Sequence, residues 1–84
     1  MTSTYFALLA EFGTANIPLE RLAGPYFGLS PDKAAQRAAR YQLPVPAFRA
    51  GSQKSPWLVS AAVLAEYLDR QIDNAARTHR AVNG

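Results

Sequence analysis

Leu29-Ser30-Pro31-Asp32-Lys33-Ala34-Ala35-Gln36-Arg37-Ala38-Ala39-Arg40-Tyr41 is the stretch on which the fold turns. Ser30 offers the side-chain oxygen of a helix N-cap. Pro31 has the fixed φ and missing N–H that suit a first helical position. Asp32 sets a negative charge against the positive end of the helix dipole. Together they predict a helix over residues 31–41. At about 100° per residue, Lys33, Gln36, Arg37 and Arg40 gather within about a quarter of the circumference, and Ala34, Ala35, Ala38, Ala39 and Tyr41 take the other side. The alanine side lets this helix sit close to a neighbour. The other side projects three cations and an amide.

Upstream, Tyr5, Leu8, Leu9 and Phe12 recur at helical spacing and predict a helix over 4–12, ended by Gly13. A short aromatic strand is the competing reading of the same run. Its apolar stripe reads as core, with a dimer surface as its second use. Pro18 suits the first turn of another helix, whose apolar side is Leu19, Leu22 and Ala23. Gly24-Pro25 is expected to end or kink that helix. Tyr26, Phe27 and Leu29 read as core, and Gly28 as the tight turn before Ser30. The pair of helices spans 18–41.

Downstream, Leu43-Pro44-Val45-Pro46 excludes helix. Val45 to Arg49 and Pro56 to Val59 read as two strands around the small polar loop Ala50–Ser55, a hairpin over 45–59. Ser60 is an N-cap for a last helix over 61–74, carrying Val63, Leu64, Tyr67, Leu68 and Ile72, with Glu66–Arg70 and Asp73–Arg77 spaced as ion pairs. The tail 75–84 is expected to fray. Trp57 reads as a core anchor joining the hairpin to the last helix, with stacking on nucleic acid as its other use. Phe48 and Tyr41 read the same way.

Charge sharpens the picture. The 84 residues carry a net +3. Residues 1–32 hold Glu11, Glu20 and Asp32 against Arg21, a net −2. Residues 33–65 hold Lys33, Arg37, Arg40, Arg49 and Lys54 with no acid, a net +5. Residues 66–84 balance to zero. The basic block coincides with the alanine-backed helix and the hairpin. A solvated basic face is the plain reading of such a block. Its placement on these two elements points to DNA.

The element order is that of a fold mainly α with a small β-hairpin, a winged helix-turn-helix in a single small domain. In such a fold the second helix of the pair lies in the major groove. Arginine pairs with guanine there and glutamine with adenine. Lys33, Gln36, Arg37 and Arg40 are the candidate base-reading residues. Arg49, Ser52, Gln53 and Lys54, in the wing 49–55, are candidates for phosphates or a minor groove.

Leu43-Pro-Val-Pro-Ala-Phe-Arg49, followed by Ser52-Gln-Lys54 and Pro56-Trp-Leu-Val59, resembles the signature of the pyocin-activator protein PrtN family. Ile17-Pro-Leu-Glu-Arg21, Tyr26-Phe-Gly28 and Leu29-Ser-Pro31 are similar to it as well, so the resemblance spans about residues 4–70. More distantly, the layout is similar to phage excisionases and small MerR-like winged helices. The resemblance implies a transcriptional activator of phage or prophage-like genes that binds double-stranded DNA and works with RNA polymerase. An excisionase, which bends DNA for a recombinase, uses the same contacts. A phage protein-interaction module without DNA binding is the third reading, in which aromatics near Tyr5 and Phe12 carry the contact.

Other classes recede. With no cysteine and one histidine, His79, the chain has no Cys/His or Ser/His/Asp set and no thiolate metal site. His79 reads as an ordinary exposed side chain, and Asp69 and Asp73 as parts of a solvated ion-pair face. No Gly-rich phosphate loop is present, so no enzyme activity and no cofactor are expected. No apolar run approaches the roughly 20 residues of a membrane span. Met1-Thr2-Ser3-Thr4 lacks the basic start of a secretory signal, so a bacterial cytoplasmic location is expected. A chain this short buries only about 60% of its unfolded surface. A thin core and one short recognition helix point to a homo-oligomer or several copies on DNA.

Overall fold

Thr2 opens the first helix by accepting a hydrogen bond from the Tyr5 N–H at 3.2 Å through Oγ1. In the computed structural model, which describes residues 2–83, α1 then runs over Ser3–Phe12 and ends at Gly13, whose φ of 71° donates its N–H to Leu9 O. Five further elements follow: β1 (Asn16–Pro18), α2 (Leu19–Phe27), α3 (Pro31–Ala39), β2 (Leu58–Ser60) and α4 (Ala61–Asn83). Met1 and Gly84, the outer ends of the ranges expected above, lie outside the described residues.

The core is one cluster. Ile17, Leu22, Val59 and Leu64 are its largest fully buried side chains, with Leu8, Leu19, Ala23, Ala34, Ala38, Val45, Ala61 and Ala65 around them. α1 packs along α4, and α2 along α3. Ala23, Ala34 and Ala38 are all buried, so alanines fill the α2–α3 contact and let the two axes approach closely. Gly28 turns the chain between them at φ 66°, and the Leu29 N–H reaches back to Ala23 O at 2.8 Å. Ser30 Oγ caps α3 by accepting from the Lys33 N–H at 3.2 Å. The result is mainly helical with a small antiparallel sheet, a single small domain whose element order is compatible with a winged helix-turn-helix.

Four expectations change. The partner of β2 is β1, with Ile17 opposite Val59. The 45–49 segment contributes a single rung, in which Phe48 and Leu58 exchange N–H···O bonds of 2.9 and 2.7 Å. Pro44 and Pro46 have no N–H to extend that ladder. Burying Ile17 and Val59 completely, both at 0% exposure, sets the register instead.

The second change concerns Gly24-Pro25, which neither ends nor breaks α2; the helix continues through Phe27. Pro25 removes the bond to the Arg21 carbonyl. Arg21, Gly24 and Pro25 are all exposed, so the loss falls on the solvent side of the helix, where it costs little.

Third, α4 continues to Asn83 instead of fraying past residue 74. No glycine or proline interrupts 61–83, and Ala75, Ala76, Arg77, Arg80 and Ala81 are strong helix formers. Arg77 donates to Asn74 Oδ1, and Asn83 Nδ2 donates to His79 O at 3.1 Å. Of the expected pairs, Arg77 engages Asn74; Asp69, outside those pairs, accepts from Thr4 Oγ1 at 2.6 Å, tying α4 to α1.

Fourth, α3 stops at Ala39, and Tyr41 leaves the apolar face expected for it. The Gln42 N–H bonds to Arg37 O at 2.8 Å and the Tyr41 N–H to Ala38 O at 3.2 Å. That pair of bonds is a Schellman motif, whose pivot is left-handed and usually glycine. Here the pivot is Tyr41, at φ 56° and 94% exposed. Tyr41→Gly is expected to raise stability by about 0.5–1 kcal/mol, because glycine relieves the left-handed strain and the ring packs on little. A higher urea midpoint at unchanged slope is the readout.

Candidate nucleic-acid interface

The recognition helix expected from the sequence is α3. Lys33, Gln36 and Arg37 lie on it and Arg40 caps it; all four are exposed, opposite the buried Ala34 and Ala38. This follows directly from the alternation of alanines with long polar residues around a 3.6-residue turn. The residues from 31 to 40 therefore present three cations and one amide to solvent from a rigid, capped helix.

The 43–57 segment leaves the end of α3 and returns to its beginning. Leu43, Val45 and Ala47 line a cavity of about 210 Å³ with Ala38 and Tyr41. Pro56 and Trp57 line another of about 210 Å³ with Leu19, Glu20, Pro31 and Ala35. The Leu19 N–H donates to Trp57 O at 2.9 Å. Trp57 is thus a half-buried anchor, as expected, but its contacts run to the start of α2 and α3. Phe48 is partly exposed at 40%, beside the single β-bridge.

At the far end of this segment the tip is a compact turn. Ser55 N–H donates to Ser52 O at 2.9 Å, and Lys54 N–H to Ser52 Oγ at 3.2 Å. A Cβ on Gly51 would come within 2.5 Å of Ser55 Oγ, so the turn closes tightly there. Ser52, Gln53 and Lys54 are exposed. Arg49 is different. It is half-buried, its guanidinium lies 4.3 Å from the Trp57 ring centroid, and Nη1 donates to the Gln53 carbonyl. Arg49 clamps the base of the loop to its tip and to Trp57, a cation–π contact combined with a backbone bond. Its Nε is buried with no partner, as is Trp57 Nε1.

The aromatic residues near the N-terminus sort differently. Tyr5 and Phe12 pack against the core, and Arg21 sits over Phe12 at 4.9 Å from its centroid. Tyr26 donates from its hydroxyl to Glu11 at 3.1 Å; burial first, then that bond and the nearby charge, push its phenol above its ordinary range. Phe6 is the exposed ring of α1, at 59%.

Sequence reading missed one surface residue: Tyr41, taken for core because it falls on the alanine side of an ideal helix. Pro44 bounds the helix from four residues past the Arg40 cap but does not mark the left-handed turn at Tyr41.

These features define a small helical module with an exposed basic helix, backed by a second helix and flanked by a basic turn. The profile of the pyocin activator protein PrtN family matches residues 4–75, nearly the whole chain. The protein belongs to the pyocin activator protein PrtN family. No curated protein and no solved structure matches it. Among the described residues, no helix is long and apolar enough to cross a membrane.

Proposed function

We propose that this protein is a sequence-specific DNA-binding regulator that activates pyocin or other prophage-like genes. α3 enters the major groove, with Lys33, Gln36, Arg37 and Arg40 facing the bases and nearby phosphates. The turn carrying Ser52, Gln53 and Lys54 rests on the backbone or in the adjacent minor groove, and Arg49 holds that turn in shape. The observation that carries this reading is the two-sided build of α3: buried alanines on one side, four exposed donor side chains on the other. Membership of an activator family supplies the regulatory half of the reading.

The test is a gel shift of the purified protein on the DNA upstream of its target genes, at two salt concentrations. Specific retardation that weakens with salt is expected. No shift on any DNA at low salt would end the reading. Lys54→Ala is expected to weaken binding to specific and unrelated duplexes alike, and to lower the slope of log K against log salt by about 1. Fluorescence anisotropy across a salt series reads both.

A further inference from the structure

Tyr41 is the one non-glycine residue with a positive φ among the described residues, at 56°. A left-handed residue that carries a Cβ is strained, and a glycine closes this type of helix end without that cost. The turn also decides where the ring goes. Continued around α3, position 41 falls three residues past Ala38 and seven past Ala34, on the side where both alanines are buried. The left-handed pivot instead carries the side chain off the end of the helix, where it is 94% exposed. The ring borders the cavity of about 210 Å³ that Ala38, Leu43, Pro44 and Ala47 line, and leaves it open. The fold thus holds a strained backbone in order to expose an aromatic ring that packs on almost nothing. Strain of this kind collects where a surface is used.

The ring's neighbours point to the ligand. Arg40 precedes it, and Gln42, exposed as well, donates its N–H to Arg37 O at 2.8 Å. Residues 33–65 carry five cations and no acid. The nine residues of α3 span about 14 Å, close to the roughly 12 Å width of the major groove. A helix of that length lying in the groove has its ends at the phosphate walls. We propose that the Tyr41 hydroxyl donates a hydrogen bond to a DNA phosphate at the wall of the groove that α3 enters. The contact rests on the DNA-binding reading above and adds the residue that fixes where the end of α3 sits. A helix C-terminus alone repels a phosphate, with about half a negative charge. Here Arg37 O and Ala38 O are already taken by the Gln42 and Tyr41 N–H groups, and Arg37 and Arg40 bring two full positive charges. Base faces are stacked inside a duplex, which leaves base edges and backbone open to a side chain. A phosphate contact carries no sequence preference of its own; it positions Arg37 and Arg40 against the bases.

Tyr41→Phe removes the hydroxyl while keeping the ring, the turn and the charge. Fluorescence anisotropy on the upstream duplex, across a salt series, shows this variant binding about 5- to 10-fold more weakly than wild type. The slope of log K against log salt stays at the wild-type value, because an uncharged donor releases no counterion. Tyr41→Gly loses at least as much affinity although its urea midpoint rises. Weaker binding by a more stable protein separates a lost contact from a damaged fold. A backbone scan then locates the partner. Duplexes carrying a single uncharged methylphosphonate, moved one position at a time, bind wild type more weakly at several phosphates. At one of them the loss shrinks in Tyr41→Phe, because the bond it would break is already gone. Wild-type protein that binds no duplex overturns the DNA-binding reading and this contact with it. Wild-type protein that binds, while Tyr41→Phe binds equally tightly or no phosphate is coupled to residue 41, overturns this contact alone.

Discussion

Leu22→Ala will cost about 3 kcal/mol of unfolding free energy, among the largest losses available to a single substitution in this domain. Leu22 is fully buried in α2, within the cluster that also holds Ile17, Ala23, Ala34 and Val59. Truncating a buried leucine removes its transfer energy and leaves a cavity, about 2–5 kcal/mol in all. The neighbours cannot close in to fill it: Ala23, Ala34 and Ala38 are already small, and the α2–α3 axes are held near by the Gly28 turn and the Ser30 cap. A domain of this size has only about 4–12 kcal/mol to lose. The loss corresponds to a fall of about 12–24 °C in the melting midpoint. Ile72→Ala serves as contrast. It is the same kind of truncation, but on a residue 60% exposed, so it shifts the midpoint by no more than about 2 °C. A Leu22→Ala protein that melts within a few degrees of wild type would contradict the core described here.

How far the fold was legible depends on the range of the interaction that sets each element. Ser30, Pro31 and Gly28 act within a few residues of themselves, and the cap and turn they imply are present. The alanine side of α3 follows from periodicity alone. The pairing of β1 with β2 does not, because three residues around Ile17 are too few to show an alternating pattern. Their partner lies about 40 residues away, chosen by shared burial at Ile17 and Val59. Pro25 illustrates a local rule overridden: a proline usually marks a helix boundary, but on an exposed face near the helix end the lost hydrogen bond is cheap. Tyr41 is the converse, a local geometry that sequence pattern does not reveal, because a tyrosine rarely occupies a left-handed helix terminus.

Legibility of the candidate interface divides along the same line. Lys33, Gln36, Arg37 and Arg40 are placed by helix periodicity, and all are exposed as the spacing implies. Ser52, Gln53 and Lys54 are exposed because a tight turn has no core beneath it. Arg49 depends on tertiary packing. As a bare cation it resembles Lys54, yet the Trp57 ring and the Gln53 carbonyl occupy its guanidinium. Replacing it would alter the shape of the turn as well as the charge.

Arg37→Ala and Arg40→Ala are each expected to weaken operator binding by about 1–3 kcal/mol, roughly 5- to 150-fold, with the stability of the domain unchanged. Both side chains are exposed, and the bonds that close the end of α3 run through backbone atoms. Truncation therefore removes donors without removing structure. The two substitutions should differ from Lys54→Ala in kind. An arginine that pairs with a guanine loses its preference at that base, so the penalty falls on the specific duplex and unrelated DNA is held nearly as before. A lysine on a phosphate weakens both equally. Arg37→Lys separates charge from geometry: it keeps the cation but lacks the planar fork that meets guanine O6 and N7. If Arg37 reads a base, Arg37→Lys falls close to Arg37→Ala in specific affinity while retaining the wild-type salt slope. Arg37→Lys binding its operator as tightly as wild type would instead make Arg37 a phosphate contact, and base reading would then rest on Gln36 and Arg40.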